Sequence, residues 1–465
     1  MFYEIQPSDK KALICANGTV LSYRELADDV RALGDRLTAR RLAFCLCENS
    51  PASVVGYLAC LNKKTVPLLL DKKINEGLLA ELLHCYRPDF LFVPAEKAEG
   101  FGEYAAVTTY MNYVLLKRTD ETAPAMFDDL ALLLTTSGST GSPKLVRQSY
   151  RNIQSNAEAI VSYLGLNADE RPITTLPMNY TYGLSIINSH LQVGATILMT
   201  DFSMNMKPFW DFFRSEEATS FGGVPFTYEM LKKIRFFRMD LPSLRYMTQA
   251  GGKLAPELHR EFAQWCEEKG KSFIVMYGQT EATARMGYLP ADKSLAKFGS
   301  MGFAIPGGRF ILADVNGNEI TAPETVGELI YEGDNVTLGY AQCLEDLAKG
   351  DERGGRLETG DMAKFDADGY YYVVGRKKRF LKIFGNRVNL DEIDLLIKKT
   401  FPDVECASTG MDDHMKTYIT REDLTDEVRR WLAATTHLSE SAFEVTYIEA
   451  LPKNEAGKIL YKELH

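Results

Sequence analysis

A run of leucines ends abruptly in a loop of small and hydroxylated residues. Leu132-Leu133-Leu134 is followed by Thr135-Thr136-Ser137-Gly138-Ser139-Thr140-Gly141-Ser142-Pro143-Lys144. The run has the length and composition of a buried strand, and glycines allow the backbone after it to close around a ligand. Main-chain N–H groups and hydroxyls in such a loop bind anions, and a lysine adds a mobile positive charge. This stretch therefore predicts a buried strand that leads into a polyphosphate-binding loop.

Two other interpretations of this loop are weaker. A flexible Ser/Gly linker does not fit, because a buried strand runs directly into the loop. The P-loop of NTPases ends in Gly-Lys-Ser/Thr, whereas Gly141 is followed here by Ser142-Pro143-Lys144. Proline lacks an N–H donor and fixes φ at the point where a P-loop opens its helix. The common NTPase loop is therefore excluded.

Length and charge restrict the class of protein. The 465 residues exceed one compact core, which predicts two or three domains. The net charge of −10, from 53 basic and 63 acidic residues, argues against nucleic acid or an anionic membrane as the partner. The eight cysteines contain no Cys-x-x-Cys pair, and the first residues do not resemble a signal peptide. No run approaches a membrane span, so we expect a cytoplasmic protein.

The N-terminal part alternates between strand-like and helix-like segments. Residues 13–21 alternate in polarity around Asn17-Gly18, which predicts a hairpin, and Ser22 with Glu25 forms a capping box for a helix to residue 40. The further predicted strands are 42–47, 65–70, 90–93, 173–176, 195–199, 219–222, 244–248 and 272–276. The further predicted helices are 53–62, 75–86, 152–164, 209–214 and 226–237. This alternation indicates a parallel sheet with helices on both faces.

Two of these strands end in residues suited to a nucleotide. Gly251 and Gly252 follow strand 244–248 and would let a flat ring or a phosphate approach the backbone, although a plain tight turn also fits. Strand 272–276 leads into Tyr277-Gly278-Gln279-Thr280-Glu281, where the tyrosine can stack on a purine. A carboxylate beside a polyphosphate implies a cation, so Glu281 predicts Mg²⁺, shared with Thr136. The alternative is that Thr280 caps a helix and that Glu281 is a solvated surface residue.

The amino-acid composition changes in the C-terminal third of the chain. Glycine, proline, asparagine and β-branched residues recur from 299 to 340, which predicts short strands packed as a small barrel. Asp366–Gly369 predicts a hairpin turn rather than a calcium loop, and Gly375 to Lys382 is a basic cluster, which on its own is most often a solvated patch. Helices at 390–400 and 425–434 and a strand at 443–448 follow, and the chain closes with Pro452-Lys453 and Gly457-Lys458.

The motifs at 135–144, 277–281, 357–361 and 452–458 resemble, in this order, those of the AMP-forming acyl-CoA synthetase and adenylate-forming ligase superfamily. The resemblance implies an α/β fold. Its large N-terminal domain, residues 1–376, would hold doubly wound sheets and a small β-barrel-like subdomain at about 299–376. A small mobile α+β domain, residues 377–465, would follow a hinge near Lys378.

The resemblance also implies roles for single residues. The turn before residue 184 would line an acyl pocket, with Tyr180 where relatives often carry histidine, and with Thr181 in place of the aspartate that binds an amino-acid substrate. For Tyr182, a packed aromatic turn is the alternative. The pocket residues would be Tyr180, Tyr182, Gly183 and Met276. Nucleotide-binding residues would be Thr135, Thr136, Ser137, Gly138, Ser139, Thr140, Gly141, Lys144, Gly251, Gly252, Tyr277, Gly278, Thr280, Asp361 for the ribose, and Arg376. Catalytic residues would be Lys458, Glu281 and Thr136, and Lys378, Lys382 and Gly385 would serve the hinge and the thiol step.

The implied reaction is ATP- and Mg²⁺-dependent conversion of a carboxylic acid, acyl or aryl but not an amino acid, into acyl-AMP with release of pyrophosphate. Transfer of the acyl group to the thiol of CoA would follow. One alternative acceptor is the phosphopantetheine of an acyl carrier protein. A further alternative is a non-catalytic nucleotide-binding protein on the same fold, against which the joint presence of Thr136, Glu281, Asp361 and Lys458 argues.

Overall fold

The computed structural model describes residues 1–119, 125–135, 144–383, 386–436, 438–454, 457 and 459–464. The chain divides into two compact units, the first comprising Met1–Arg309 and Tyr331–Leu357 and the second Phe310–Ile330 and Glu358–His465. The domain boundary expected after residue 376 stays a prediction. Within the described ranges, no helix is long and apolar enough to cross a membrane.

The helices alternate with strands along the chain. The helices are α1 (Tyr23–Gly34), α2 (Pro51–Lys63), α3 (Glu76–Tyr86), α4 (Tyr150–Leu164), α5 (Thr181–Gln192), α6 (Lys207–Ser215), α7 (Pro225–Lys233), α8 (Pro256–Glu268), α9 (Leu390–Thr400) and α10 (Thr425–Thr436). The strands are β1 (Lys11–Cys15), β2 (Val20–Ser22), β3 (Leu42–Cys47), β4 (Val66–Asp71), β5 (Phe90–Pro94), β6 (Tyr104–Tyr110), β7 (Tyr113–Arg118), β8 (Leu130–Thr135), β9 (Leu145–Ser149), β10 (Ile197–Met199), β11 (Ser220–Gly223), β12 (Tyr246–Gln249), β13 (Ser272–Tyr277), β14 (Gly287–Tyr288), β15 (Phe303–Ala304), β16 (Gly308–Ala313), β17 (Gly327–Gly333), β18 (Gly339–Ala341), β19 (Arg356–Phe365), β20 (Tyr371–Arg376), β21 (Phe380–Ile383), β22 (Asn386–Asn389), β23 (Cys406–Met411), β24 (His414–Ile419) and β25 (Phe443–Tyr447).

The largest sheet of the first unit has the strand order β18-β9-β8-β4-β3-β5-β7-β6. Its centre is parallel, as predicted, because β3 pairs with β4 and β5, and β4 pairs with β8, in that sense. Its flanks are antiparallel, so the sheet is mixed. Strands β6 and β7 were not predicted. The apolar residues of β3, β4 and β8 are buried on both faces of the sheet, as expected for central strands covered by helices.

A second sheet of this unit positions the candidate site. Its order is β11-β12-β13-β14-β15, in which the first three strands are parallel and the last two antiparallel. Because parallel strands end at the same edge of a sheet, the segments after β12 and β13 emerge on the same side. The predicted glycine turn and the predicted Tyr277 motif are these two segments.

Two local predictions for the first unit are wrong. Helix α1 begins with the predicted capping box at Ser22 but ends at Gly34 rather than at residue 40, consistent with the weak helix propensity of glycine. Residues 173–176 form no continuous strand, and Ile173 makes only an isolated bridge to Leu198. Prolines at 172 and 177 remove backbone donors on both sides of that segment.

The second unit contains a four-stranded sheet, β16-β17-β19-β20, and the smaller sheets β21-β22 and β23-β24-β25. The predicted turn at Asp366 joins β19 to β20, and the N–H of Gly369 donates to the Asp366 carbonyl at 3.0 Å. Helices α9 and α10 bury apolar side chains, among them Ile397 and Leu432, in a core of this unit. The predicted α/β class is confirmed.

Candidate active site

The segment after β13 forms a tight turn. Residues Thr280–Ala282 make a 3₁₀ helix, and a Cβ atom at Gly278 would lie 1.6 Å from the carbonyl oxygen of Ala284. Only glycine therefore fits at residue 278. Thr283 and Ala284 have φ values of 52° and 90°. Such a backbone conformation is energetically unfavourable for non-glycine residues, so the surrounding structure must hold the turn in place.

Two asparagines hold this turn. The side-chain amide of Asn335 donates to the carbonyl oxygens of Ala282 at 2.8 Å and Arg285 at 3.0 Å, and the main-chain carbonyl of Asn335 accepts from the Thr283 hydroxyl at 2.8 Å. Asn156 donates to the Arg285 carbonyl as well, at 2.8 Å. Buried polar groups paired in this way stabilise a strained backbone and define the positions of its side chains.

Glu281 is the carboxylate of this turn and is surrounded by donors. Its main-chain carbonyl accepts from the Thr337 N–H at 3.0 Å, the Thr337 hydroxyl at 2.9 Å and Arg353 Nη1 at 3.0 Å. Its side-chain Oε1 accepts from the Tyr340 hydroxyl at 2.7 Å. Burial and the adjacent Glu281 carboxylate raise the pKa of Tyr340 to about 12. The tyrosine therefore stays protonated and remains a donor at neutral pH.

Two cations lie against the Tyr340 ring. Lys144 Nζ is 3.5 Å from the ring centroid, and the Arg353 guanidinium carbon is 4.7 Å from it. Lys144 precedes β9, which pairs with β8 so that Thr135 lies opposite Leu145. The two described ends of the predicted phosphate loop thus lie next to each other, with a positive charge at one end. Thr136, Ser137, Gly138, Ser139, Thr140 and Gly141 lie outside the described residues.

The donor set at Glu281 fits Mg²⁺. Magnesium is usually bound through one or two carboxylates together with substrate phosphates and water, so one carboxylate near the predicted phosphate-binding loop would be sufficient. Tyr340 orients Oε1 of this carboxylate. The other predicted ligand, Thr136, is outside the described residues. Elsewhere in the described chain, no group of three or more His, Cys, Asp or Glu side chains could hold a metal ion.

The predicted acyl-pocket residues lie together. Tyr182 and Met276 belong to one buried apolar cluster, with Tyr180 packed against it. The rings of Tyr180 and Tyr182 meet edge to face with centroids 6.4 Å apart, and the Tyr182 hydroxyl lies 2.8 Å from that of Thr248. Gly183 follows in the first turn of α5. Strands β12 and β13 and helix α5 thus contribute to one buried cluster that contains both tyrosines, and its role as an acyl pocket stays a prediction.

The glycine turn after β12 adjoins this cluster. Gly251 has φ +84°, and a Cβ atom there would lie 2.7 Å from the Tyr180 hydroxyl oxygen. The buried amide of Gln249 donates to the Gly252 carbonyl at 2.9 Å and holds the turn. Gly251 is therefore required both for the left-handed backbone and for the close approach to Tyr180. The nucleotide roles of both glycines stay predictions.

The remaining predicted residues belong to the second unit. Arg376 Nε lies 2.8 Å from the buried Asp361 carboxylate, and the two residues are paired across β19 and β20. Lys378 lies in a 3₁₀ helix, Lys377–Arg379, and Lys382 lies in β21, but their side chains are outside the described part of the structure. Gly385 and Lys458 are outside it altogether.

Several residues of the site were not predicted. Tyr340, Arg353, Thr337 and Asn335 surround Glu281 although they follow it in the chain by 54 residues or more. Arg147 on β9 was also missed. Its side chain is fully buried, pairs with Glu352 at 2.5 Å and donates to main-chain carbonyls between residues 338 and 350, Tyr340 among them. It therefore supports the segment that carries Tyr340 and Arg353.

Comparison with known proteins identifies the class. Residues 4–341 match the AMP-binding enzyme family, and the chain belongs to this family. It is 25% identical over 457 residues to 2-succinylbenzoate–CoA ligase of Bacillus pumilus, with 94% of this chain and 91% of the relative covered. It is 28% identical over 470 residues to feruloyl-CoA synthase of Amycolatopsis sp, with 96% and 94% covered.

A solved structure has the same fold. O-succinylbenzoate coenzyme A synthetase from Bacillus subtilis, in complex with AMP, aligns with a TM-score of 0.80 at 21% identity, over 99% of this chain and 96% of that chain. The same enzyme has also been solved in complex with ATP and magnesium ion. The family and the fold expected from the sequence motifs are thereby confirmed.

Proposed function

We propose that the protein is an AMP-forming acid–CoA ligase. It activates a small carboxylic acid with ATP as acyl-AMP, releases pyrophosphate and transfers the acyl group to the thiol of CoA. One observation supports this most strongly. Met276 belongs to the buried apolar cluster that contains the predicted acyl-pocket tyrosines, and five residues later Glu281 lies among Tyr340, Lys144 and Arg353. An acid and a polyphosphate would thereby be bound by consecutive parts of one chain segment.

The two cations reduce the main energetic cost of the first step, which is the repulsion between anions. The carboxylate oxygen forms a bond to the α-phosphorus while the bond to pyrophosphate breaks, so anions must approach one another. Two unit charges 4 Å apart repel by about 4 kcal/mol at an effective dielectric of about 20. Lys144 and Arg353 offset this repulsion and stabilise the charge of the leaving pyrophosphate. Magnesium held through Glu281 supplies further neutralisation when bound. Lys458 is proposed to bridge the substrate carboxylate and the α-phosphate.

The second step uses the mixed anhydride made in the first. The sulfur of the CoA thiolate attacks the acyl carbon, and the bond to AMP breaks. The names of the relatives reported above, a ligase and a synthase of CoA esters, favour CoA over a carrier protein as the acceptor. Stacking of Tyr277 on adenine, binding of ribose by Asp361 and Arg376, the hinge at Lys378 and the thiol-step roles of Lys382 and Gly385 remain predictions. The same applies to a cytoplasmic location.

The test is a screen for acid-dependent pyrophosphate release with ATP and Mg²⁺. Aryl acids come first because the named relatives act on succinylbenzoate and form feruloyl-CoA. CoA and a phosphopantetheinylated carrier protein are then compared as acceptors. Glu281→Gln should lower the rate by about 10²-fold or more, whereas Glu261→Gln, which removes one half of an exposed pair with Lys232, should not. Absence of pyrophosphate release with every acid would contradict the proposal.

A further inference from the structure

A buried arginine lies against two of the predicted acyl-pocket residues, Tyr182 and Met276. Arg285 is 2% exposed. Its guanidinium carbon is 5.2 Å from the centroid of the Tyr182 ring, and its Nη1 is 3.2 Å from the sulfur of Met276. Its other donors reach the hydroxyls of Ser185, 3.1 Å from Nε, and Tyr163, 2.9 Å from Nη1. Every one of these partners is neutral.

No carboxylate lies within ion-pair distance of Arg285 in the part of the chain that the structure describes, and its Nη2 donates no hydrogen bond there. Arg147 differs in this respect, because that buried arginine pairs with the carboxylate of Glu352. A guanidinium is charged at any pH at which an enzyme works. A buried charge without a counter-ion is strongly unfavourable. The counter-ion is therefore missing from the described part of the chain, and a bound ligand can supply it.

A small cavity adjoins Arg285. Its polar lining includes His190, Tyr246 and Thr248. Nδ1 of His190 lies 2.7 Å from the carbonyl oxygen of Ile186, so it must donate, and Nε2 then accepts from the Tyr246 hydroxyl at 3.1 Å. Burial lowers the pKa of His190 to about 4, which keeps this imidazole neutral. Among the described residues that line the cavity, Arg285 thus supplies the charge.

We propose that Arg285 binds a second anionic group of the substrate, so that the enzyme selects acids carrying a carboxylate or sulfonate at the end remote from the reacting carboxylate. This inference rests on the proposed function and names its substrate class. Tyr180 and Tyr182 would contact the apolar part between the two anionic ends. An acid that is apolar throughout would desolvate the guanidinium and leave it unpaired, and sites built for a polar group discriminate strongly against analogues that lack it.

The test compares paired acids in the pyrophosphate-release assay. Each pair consists of an aliphatic or aryl monocarboxylic acid and the analogue in which a carboxylate replaces its terminal methyl or ring hydrogen. The wild-type enzyme should prefer one or more diacids over their partners by at least about 30-fold in kcat/KM, the lower end of the effect of truncating one partner of a buried charge pair. Arg285→Met should abolish this preference, and Arg285→Lys should keep part of it. Arg260→Met, which removes an exposed arginine stacked on Phe298, should leave it unchanged.

Binding measured without turnover separates this inference from the proposed function. The same diacids should raise the melting temperature of the wild-type protein and of Arg260→Met, but not that of Arg285→Met. Preference for monoacids, with Arg285→Met releasing pyrophosphate as the wild type does, overturns the inference and leaves the ligase assignment intact. Diacid binding that depends on Arg285, with no pyrophosphate release from any acid, supports the inference and overturns the assignment.

Discussion

Removal of one oxygen atom tests how the site positions Glu281. Tyr340→Phe deletes the hydroxyl that donates to Glu281 Oε1 at 2.7 Å. The substitution keeps the ring, so the contacts of Lys144 at 3.5 Å and of Arg353 at 4.7 Å are retained. The main-chain carbonyl of Glu281 also keeps its donors from Thr337 and Arg353. The variant therefore frees the carboxylate to rotate without removing a charge from the site.

The size of the effect follows from the kind of hydrogen bond. A hydrogen bond to a charged group contributes about 1.5–3 kcal/mol, which corresponds to about 10- to 150-fold in a rate or binding constant. We expect a loss of this size in kcat/KM for pyrophosphate release, together with a higher Mg²⁺ concentration for half-maximal rate. Because the pKa of Tyr340 is raised to about 12, the loss should be the same from pH 7 to about pH 9.

The control is Tyr23→Phe. The buried Tyr23 hydroxyl donates to the Ala195 carbonyl at 2.6 Å, so this variant also loses one hydroxyl hydrogen bond but leaves the site intact. Both variants are assayed by acid-dependent pyrophosphate release over a Mg²⁺ titration, with melting temperatures recorded in parallel. If Tyr340→Phe retains kcat/KM within a factor of two of Tyr23→Phe at every Mg²⁺ concentration, the role assigned to Tyr340 is wrong.

Three further outcomes are expected. Arg147→Met should lower the unfolding free energy in urea by about 3 kcal/mol or more, because the buried hydrogen-bond network around Arg147 loses its donor. Arg151→Met, which removes an exposed ion pair, is the control, and an equal change in that variant would contradict the prediction. Burial lowers the pKa of His259 to about 4. The contribution of this histidine to the unfolding free energy is therefore full above about pH 6.5 and is lost as the pH falls to 4. In His259→Asn, the unfolding free energy measured in urea should fall less over that pH range, by up to about 3 kcal/mol. Lys458→Ala should abolish pyrophosphate exchange but spare thiolysis of supplied acyl-AMP, and equal losses would refute its assigned role.

The elements that local patterns define could be predicted from the sequence. Strand 42–47 and helix 390–400 agree with β3 and α9 at both ends, because a run of buried apolar residues and an amphipathic repeat are both local signals. The capping box at Ser22 was readable for the same reason. Tyr180 and Tyr182 could be named as predicted pocket residues because they lie in the turn that the resemblance assigns to the acyl pocket, although relatives often carry histidine where Tyr180 stands.

The donors around Glu281 could not be predicted in this way. Tyr340 lies 59 residues after Glu281 in the chain, in a segment whose composition indicated only short strands. Its pairing with Glu281 depends on β18 joining the edge of the large sheet next to β9, and long-range pairing of this kind leaves no local pattern. Arg285 was missed for a different reason. A single arginine eight residues after Tyr277 gives no local sign that it is buried or lacks a carboxylate partner.

The turn after β13 supports both halves of the proposed chemistry, yet its two charged side chains share no partner. Glu281 binds Tyr340, whereas the Arg285 side chain contacts Ser185, Tyr163, Met276 and Tyr182. Substitutions without shared partners usually combine additively to within about 0.5 kcal/mol. With a diacid as substrate, the losses of kcat/KM in Tyr340→Phe and Arg285→Met should therefore multiply in the double variant. A combined loss clearly smaller than the product would mean that one of the substitutions already displaces the whole turn, and nucleotide and acid recognition would then not be separable at this site.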